Sequence, residues 1–252
     1  MSTLVYTLTA LSLLACATAA VQACRQRPAF GMRFFAAGWV LALVLFVVNG
    51  CMAQAMPFGN MRHVLCFFPL VMLPACLYLR RCRQLDLLGY FASASVLMLI
   101  GALCMPLQAA WRQMPALQSP WFAPHVTSYV IAYGLITVSA LLCVVSYCRA
   151  DGRQDERAAD AVLRLAFPFL TFGLCSGAIW ADAAWGGYWA WDIKEVWSLI
   201  TWGIILLYFH LAHSAAFAGW RRPLLLLAFA AMVITFLVVN LLPALDSLHS
   251  YA

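Results

Sequence analysis

From Leu4 to Leu245 the chain is a succession of apolar runs, each near the length a helix needs to cross a bilayer, with the arginines gathered between them. About 20 apolar residues span the hydrocarbon core, and within lipid only a helix or a closed barrel satisfies its own backbone. The runs predict spans at about Leu4 to Ala20, Phe34 to Ala53, Val64 to Leu79, Leu87 to Leu107, Val126 to Tyr147, Val162 to Trp180, Val196 to Phe217 and Leu224 to Leu245. The third is short and carries Pro69 and Pro74, which predicts a kinked helix, because neighbouring helices can satisfy the carbonyls that proline frees. With 65% hydrophobic and 10% charged residues, a water-soluble fold would lack a polar surface. The expectation is an all-α integral membrane protein, a bundle of about eight transmembrane helices with an external tryptophan-rich loop, forming one polytopic membrane domain over residues 1–252.

Arginine placement orients this bundle, since loops rich in Lys and Arg stay cytoplasmic. Alternate loops hold Arg25, Arg27 and Arg33; Arg80, Arg81 and Arg83; Arg149, Arg153, Arg157 and Arg164; and Arg221 and Arg222. The opposite side has Arg62, Arg112 and Lys194. Both termini are therefore expected outside the cytoplasm, together with the loop between spans six and seven. The net charge of +6 is a topology signal and does not imply nucleic-acid binding. "LLAC" at Leu13 to Cys16 and the following "ATAA" look like processing sites, but residues 1–15 contain no Lys or Arg, so the first run reads as an uncleaved span. The ten cysteines lie mostly inside spans with no CxxC pair, and read as small buried hydrophobes. "RADGRQDERAAD", Arg149 to Asp160, reads as a solvated cytoplasmic loop.

Six of the ten tryptophans fall between Trp180 and Trp202, around Asp192, Lys194 and Glu195. Tryptophans at a membrane interface commonly serve as anchors. Six within one stretch, interleaved with Gly186 and Gly187, need a better account than anchoring alone, and flat aromatic surface that could stack on a flat ligand is one. The topology puts His125, at the start of span five, and His249, beyond span eight, on the same side as this stretch. His210 lies ~22 Å beyond Glu195 along span seven at 1.5 Å per residue, and an ionisable residue inside a span is functional by default. His213 follows one turn later and His63 sits at the mouth of span three; both read as solvated or backbone-bonded. Neutral imidazole is a strong axial ligand for haem iron, and haem is a flat, largely apolar disc. Three readings remain open on these residues: a haem carrier, an electron-transfer membrane cytochrome, and a protein for another flat ligand or one whose tryptophans only anchor the loop.

The run "WGGYWAWDIKEVWSLITW", Trp185 to Trp202, resembles the WWD motif of haem-handling proteins, and its second half is similar to the CcsA (ResC) branch, which commonly reads WD-P-KE before an LITW ending. Ile193 stands where that branch has proline. The CcmC and CcmF branches share the first half and differ after the Asp. "LQSPWFAPHVTSYVIAYG", "ITWGIILLYFH" and "VVNLLPALDSLHSYA" resemble the segments carrying the family's first external, membrane-embedded and second external histidines, which fall on His125, His210 and His249. "MPFGNMRHVLCF" resembles the family's P-x-x-N-x-YE segment, with Arg62 and His63 in place of Tyr and Glu.

This resemblance implies a part in making c-type cytochromes. Haem b (iron protoporphyrin IX) is carried across a bacterial cytoplasmic membrane and held outside, where its vinyl groups react with the thiols of a CxxCH apocytochrome c. The implied partner is a CcsB (ResB) membrane subunit. His210 is implied as the inner haem ligand and His125 and His249 as the external pair, beneath a platform of Trp185, Trp189, Trp191 and Trp197. Asp192, Lys194 and Glu195 fix the loop or meet propionates, and no catalytic nucleophile is expected. A CcmC-like delivery protein without synthase activity is the neighbouring alternative.

Overall fold

The computed structural model describes residues 2–107, 115–149, 152–211 and 215–241. Where eight spans are expected, eight helices occur among the described residues: α1 (Ser2–Cys24), α2 (Pro28–Ala53), α3 (Met61–Cys82), α4 (Leu88–Cys104), α5 (Phe122–Cys148), α6 (Arg153–Trp185), α7 (Ile193–Leu211) and α8 (Arg221–Val233). α8 continues through a π-helical stretch, Ile234–Val238, into a last turn, Val239–Leu241. Six of these are long and apolar enough to cross a membrane: α1, α2, α3, α5, α6 and α8 taken to Val238. α4 is apolar but has only 17 residues. α7 has 19 and carries Lys194, Glu195 and His210 near its ends. The chain is an integral membrane protein. It divides into two compact units, Met1–Met114 and Pro115–Ala252.

In the first unit α1 packs against α2 and α4, and α3 against α2 and α4. Pro69 and Pro74 both lie within the unbroken α3. Pro74 has no N–H to offer the carbonyl four residues back, that of Leu70. The Trp39 indole N–H on α2 donates to that carbonyl at 3.0 Å instead, which is how a proline inside lipid is accommodated.

In the second unit α5 is the buried centre, packed along α6 and also against α8. Gly173 and Gly177, one turn apart on α6, allow this close approach. A Cβ on Gly173 would lie 2.9 Å from the Tyr129 ring, and one on Gly177 would lie 2.5 Å from His125 Nδ1.

α6 starts at Arg153, so most of the polar stretch expected as a loop is helical. Asp155 and Glu156 in the first turn suit the helix dipole, and Ala158 and Ala159 are buried. Ion pairs hold the segment: Arg149 with Asp155 at 3.2 Å, Arg164 with Asp160 at 2.7 Å, Arg221 with Asp160 at 2.9 Å, and Arg222 with Glu156. The last two partners come from α8. Its polarity therefore reflects pairing across helices rather than solvation of a loop.

Candidate functional site

The tryptophan-rich stretch joins α6 to α7. Gly186 closes α6 in the left-handed conformation, φ 79°, and its N–H donates to the Asp182 carbonyl at 2.8 Å, a position where a side chain would strain the backbone. α7 restarts behind a capping box. Asp192 Oδ1 accepts from the Lys194 N–H at 2.9 Å, while Glu195 Oε2 reaches back to accept from the Asp192 N–H at 3.2 Å and the Ala190 N–H at 2.9 Å. Both carboxylates are buried and shape the loop. Ile193 occupies the first helical position, where a proline loses nothing by lacking an N–H, so its substitution leaves the turn intact. The Lys194 ammonium donates to Asn240 Oδ1, fastening the start of α7 to the last described turn of the chain.

α5 begins at this same end of the unit. His125, in its first turn, has Nδ1 2.9 Å from the Gly173 carbonyl oxygen on α6. A carbonyl only accepts, so Nδ1 carries the proton and the ring's lone pair belongs to Nε2. The imidazole lies nearly parallel to the Trp180 indole, centroids 5.4 Å apart and planes at 23°, and meets Tyr129 edge-on at 4.9 Å. Trp180 is held in turn by its N–H, which donates to the Ala116 carbonyl at 2.7 Å, and by Phe122 and Trp185 at 5.3 and 4.8 Å. Expected site residues His125 and Trp185 thus join one aromatic cluster through Trp180. Sequence reasoning left Trp180 out of the platform; its place at the edge of the tryptophan stretch was the available signal. Asn240 was likewise missed.

The cytochrome C assembly protein family profile matches residues 4–245. The chain belongs to that family. Among its relatives, cytochrome c biogenesis protein CcsA of Chlamydomonas reinhardtii is 32% identical over 235 residues, covering 84% of this chain and 65% of that protein. CcsA of Mesostigma viride is 28% identical over 254 residues, 84% of this chain and 82% of that one. CcsA of Trieres chinensis is 28% identical over 263 residues, 84% of each. Among solved structures, cytochrome c heme lyase CcmF matches 92% of this chain with a TM-score of 0.64 at 19% identity, over 46% of its own length. The chain therefore shares its fold with about half of that larger protein and spans just under two thirds of the Chlamydomonas one.

Within this cytochrome c assembly protein the remaining candidates occupy separate places. Trp189 and Trp191 pair edge to face, centroids 5.9 Å apart and planes at 84°, so the two rings cannot both lie flat on one disc. Trp191 is 72% exposed, at φ 58°, beside Tyr188 at 62%. Among the described residues the Trp189 indole N–H is buried without an acceptor. Trp197 is half-buried at the start of α7. His210 sits in the last turn of α7, exposed, with Nδ1 2.8 Å from the Leu206 carbonyl; here too Nδ1 carries the proton and the lone pair belongs to Nε2. His249 and His213 lie outside the described residues. Among the described residues no three metal-ligating side chains converge, whereas a haem asks the protein for only one or two axial ligands.

Proposed function

We propose that this chain is the haem-handling subunit of a cytochrome c synthase, taking haem b as its substrate and presenting it outside the membrane to CxxCH apocytochromes. The observation that carries this reading is the state of His125. Its Nδ1–H is committed to the Gly173 carbonyl and its face to Trp180, so the ring is fixed in orientation. Such a hydrogen bond raises the basicity of a ligating imidazole. Uncovered aromatic surface on Trp191 and Tyr188 suits a porphyrin face.

His125 and His249 supply the external pair of ligands, and His210 receives haem nearer the Arg-rich end. α7 is one continuous helix, so His210 and the tryptophan loop are ~22 Å apart, a separation that favours two stations over the single bis-histidine site of an electron-transfer cytochrome. Asp192 and Glu195 hold the loop. Each apocytochrome thiol adds across one vinyl group: a carbon–sulfur bond forms, the thiol proton ends on the other vinyl carbon, and no oxidant is consumed. The nucleophiles belong to the substrate, and a CcsB-type subunit is the partner. The arginine distribution puts the tryptophan loop and both termini outside.

Co-expression with a CxxCH reporter, with and without a CcsB-type subunit, tests this. The purified chain should show a bis-imidazole haem spectrum, and the reporter should gain covalent haem only when both subunits are present. A haem-free chain from haem-replete cells, with reporter maturation indifferent to it, overturns the proposal.

A further inference from the structure

Arg62 stands where the family segment carries Tyr, and nothing proposed above uses it. It lies in the first turn of α3 and is 2% exposed. Its Nη1 donates to the Ala102 and Met105 carbonyls at the end of α4, at 2.7 and 2.9 Å. The guanidinium also lies over the Tyr6 ring, 4.3 Å from its centroid. These contacts use one nitrogen and one face. Among the described residues, Nε and Nη2 are buried and have no hydrogen-bond partner. Those two nitrogens form the side-on edge of the guanidinium, whose parallel N–H groups match the two oxygens of a carboxylate or phosphate.

The charge needs a partner as well as the N–H groups. Arginine stays protonated in proteins, and a buried charge is ordinarily paired with an opposite one. Residues 1–114 contain one acidic side chain, Asp86. It pairs with Arg80 at 3.8 Å, beyond the far end of α3, and Arg80 is itself ~27 Å along the helix from Arg62. The counter-charge therefore has no source within this unit.

We propose that the Nε/Nη2 edge of Arg62 is a binding site for the oxyanion of an amphipathic ligand, either the phosphate of a phospholipid headgroup or a propionate of haem. The propionate source rests on the function proposed above; the phosphate source does not. Arg62 lies at the end of α3 opposite Arg80, Arg81 and Arg83, at the depth where headgroups meet a span that begins near Val64.

The test uses the full chain, delipidated in detergent. Wild-type protein is titrated with dioleoyl phosphatidylglycerol and with the matching galactosyl diacylglycerol, reading melting temperature and bound phosphorus. It is separately titrated with haem and with haem dimethyl ester, reading absorbance. A phosphate site shows as stabilisation by the phospholipid alone, and a propionate site as a preference of roughly tenfold for the free acid, the scale of a charge-assisted hydrogen bond. Arg62→Gln should abolish whichever preference is found. Arg62→Lys, which keeps the charge but lacks the fork, should lose most of it and covers the case in which the Gln variant does not fold. A wild-type chain that treats each pair alike overturns the proposal, as does a preference that survives both substitutions. Absence of all haem binding would remove the propionate source and the proposed function together while leaving the phosphate source standing.

Discussion

His125 is fixed from two directions, by a carbonyl in the plane of its ring and an indole against its face, and that is more than packing requires. His125→Ala or His249→Ala should abolish reporter maturation while the protein still inserts, and added imidazole should restore part of the activity by filling the vacated coordination position. Normal maturation in both variants would rule out the external histidine pair. The tryptophans divide by environment. Trp191→Ala removes an exposed ring and should weaken haem retention roughly two- to tenfold, the worth of one aromatic contact, with the melting temperature unchanged. Trp189→Phe deletes a buried N–H that has no acceptor among the described residues, so stability should hold or rise, since an unmet buried donor is costly; a clear fall in melting temperature would show that this N–H has a partner after all. The resemblance named the segments that carry His125, His210 and His249, and the structure describes the first two. Trp180 was left out because, beyond its place at the edge of the tryptophan stretch, nothing in its neighbours' identities says that its face turns toward α5.

At the scale of elements, the start of α7 shows how the carboxylates of a motif shape the loop that carries it. The D-x-x-E spacing of Asp192 and Glu195 is a capping-box pattern, and the structure spends both carboxylates on backbone N–H groups. Glu195→Ala should cost about 1 kcal/mol, typical of a lost cap, and loosen the loop from Tyr188 to Trp191. Glu195→Gln, which keeps an acceptor, should recover most of the stability. Thermal denaturation and acrylamide quenching of tryptophan fluorescence would measure both, and equal behaviour of the two variants would show that the cap is not what matters. The polar first turns of α6 went unrecognised as helix for a related reason. Their charges answer Arg221 and Arg222 on α8, some 60 residues later in the chain, and no local pattern announces so distant a partner.

For the whole molecule, the count and order of helices were legible because membrane thickness imposes a length on every apolar run, whatever else the run does. Their ends were not, since capping and cross-helix ion pairs extend a helix beyond its apolar part, as at Arg153 and Ile193. The division into two units also left no mark in hydropathy. The length of α7 bears on transport: His210→Ala should impair loading from the Arg-rich side, while haem supplied to the tryptophan side of membranes carrying the variant still binds with a bis-imidazole spectrum. Loss of that binding in a folded variant would mean that the three histidines act as one site. The bond between Lys194 and Asn240 matters at this scale too. His249 lies nine positions beyond Asn240, a reach of at most ~32 Å for an extended chain, so on the function proposed above His249 would be a ligand tethered at this bond, with an effective concentration of roughly millimolar order. Asn240→Ala would lengthen the tether without removing either histidine. It should therefore lower the imidazole concentration needed to displace His249 from iron, because a ligand on a longer leash competes less well with one free in solution.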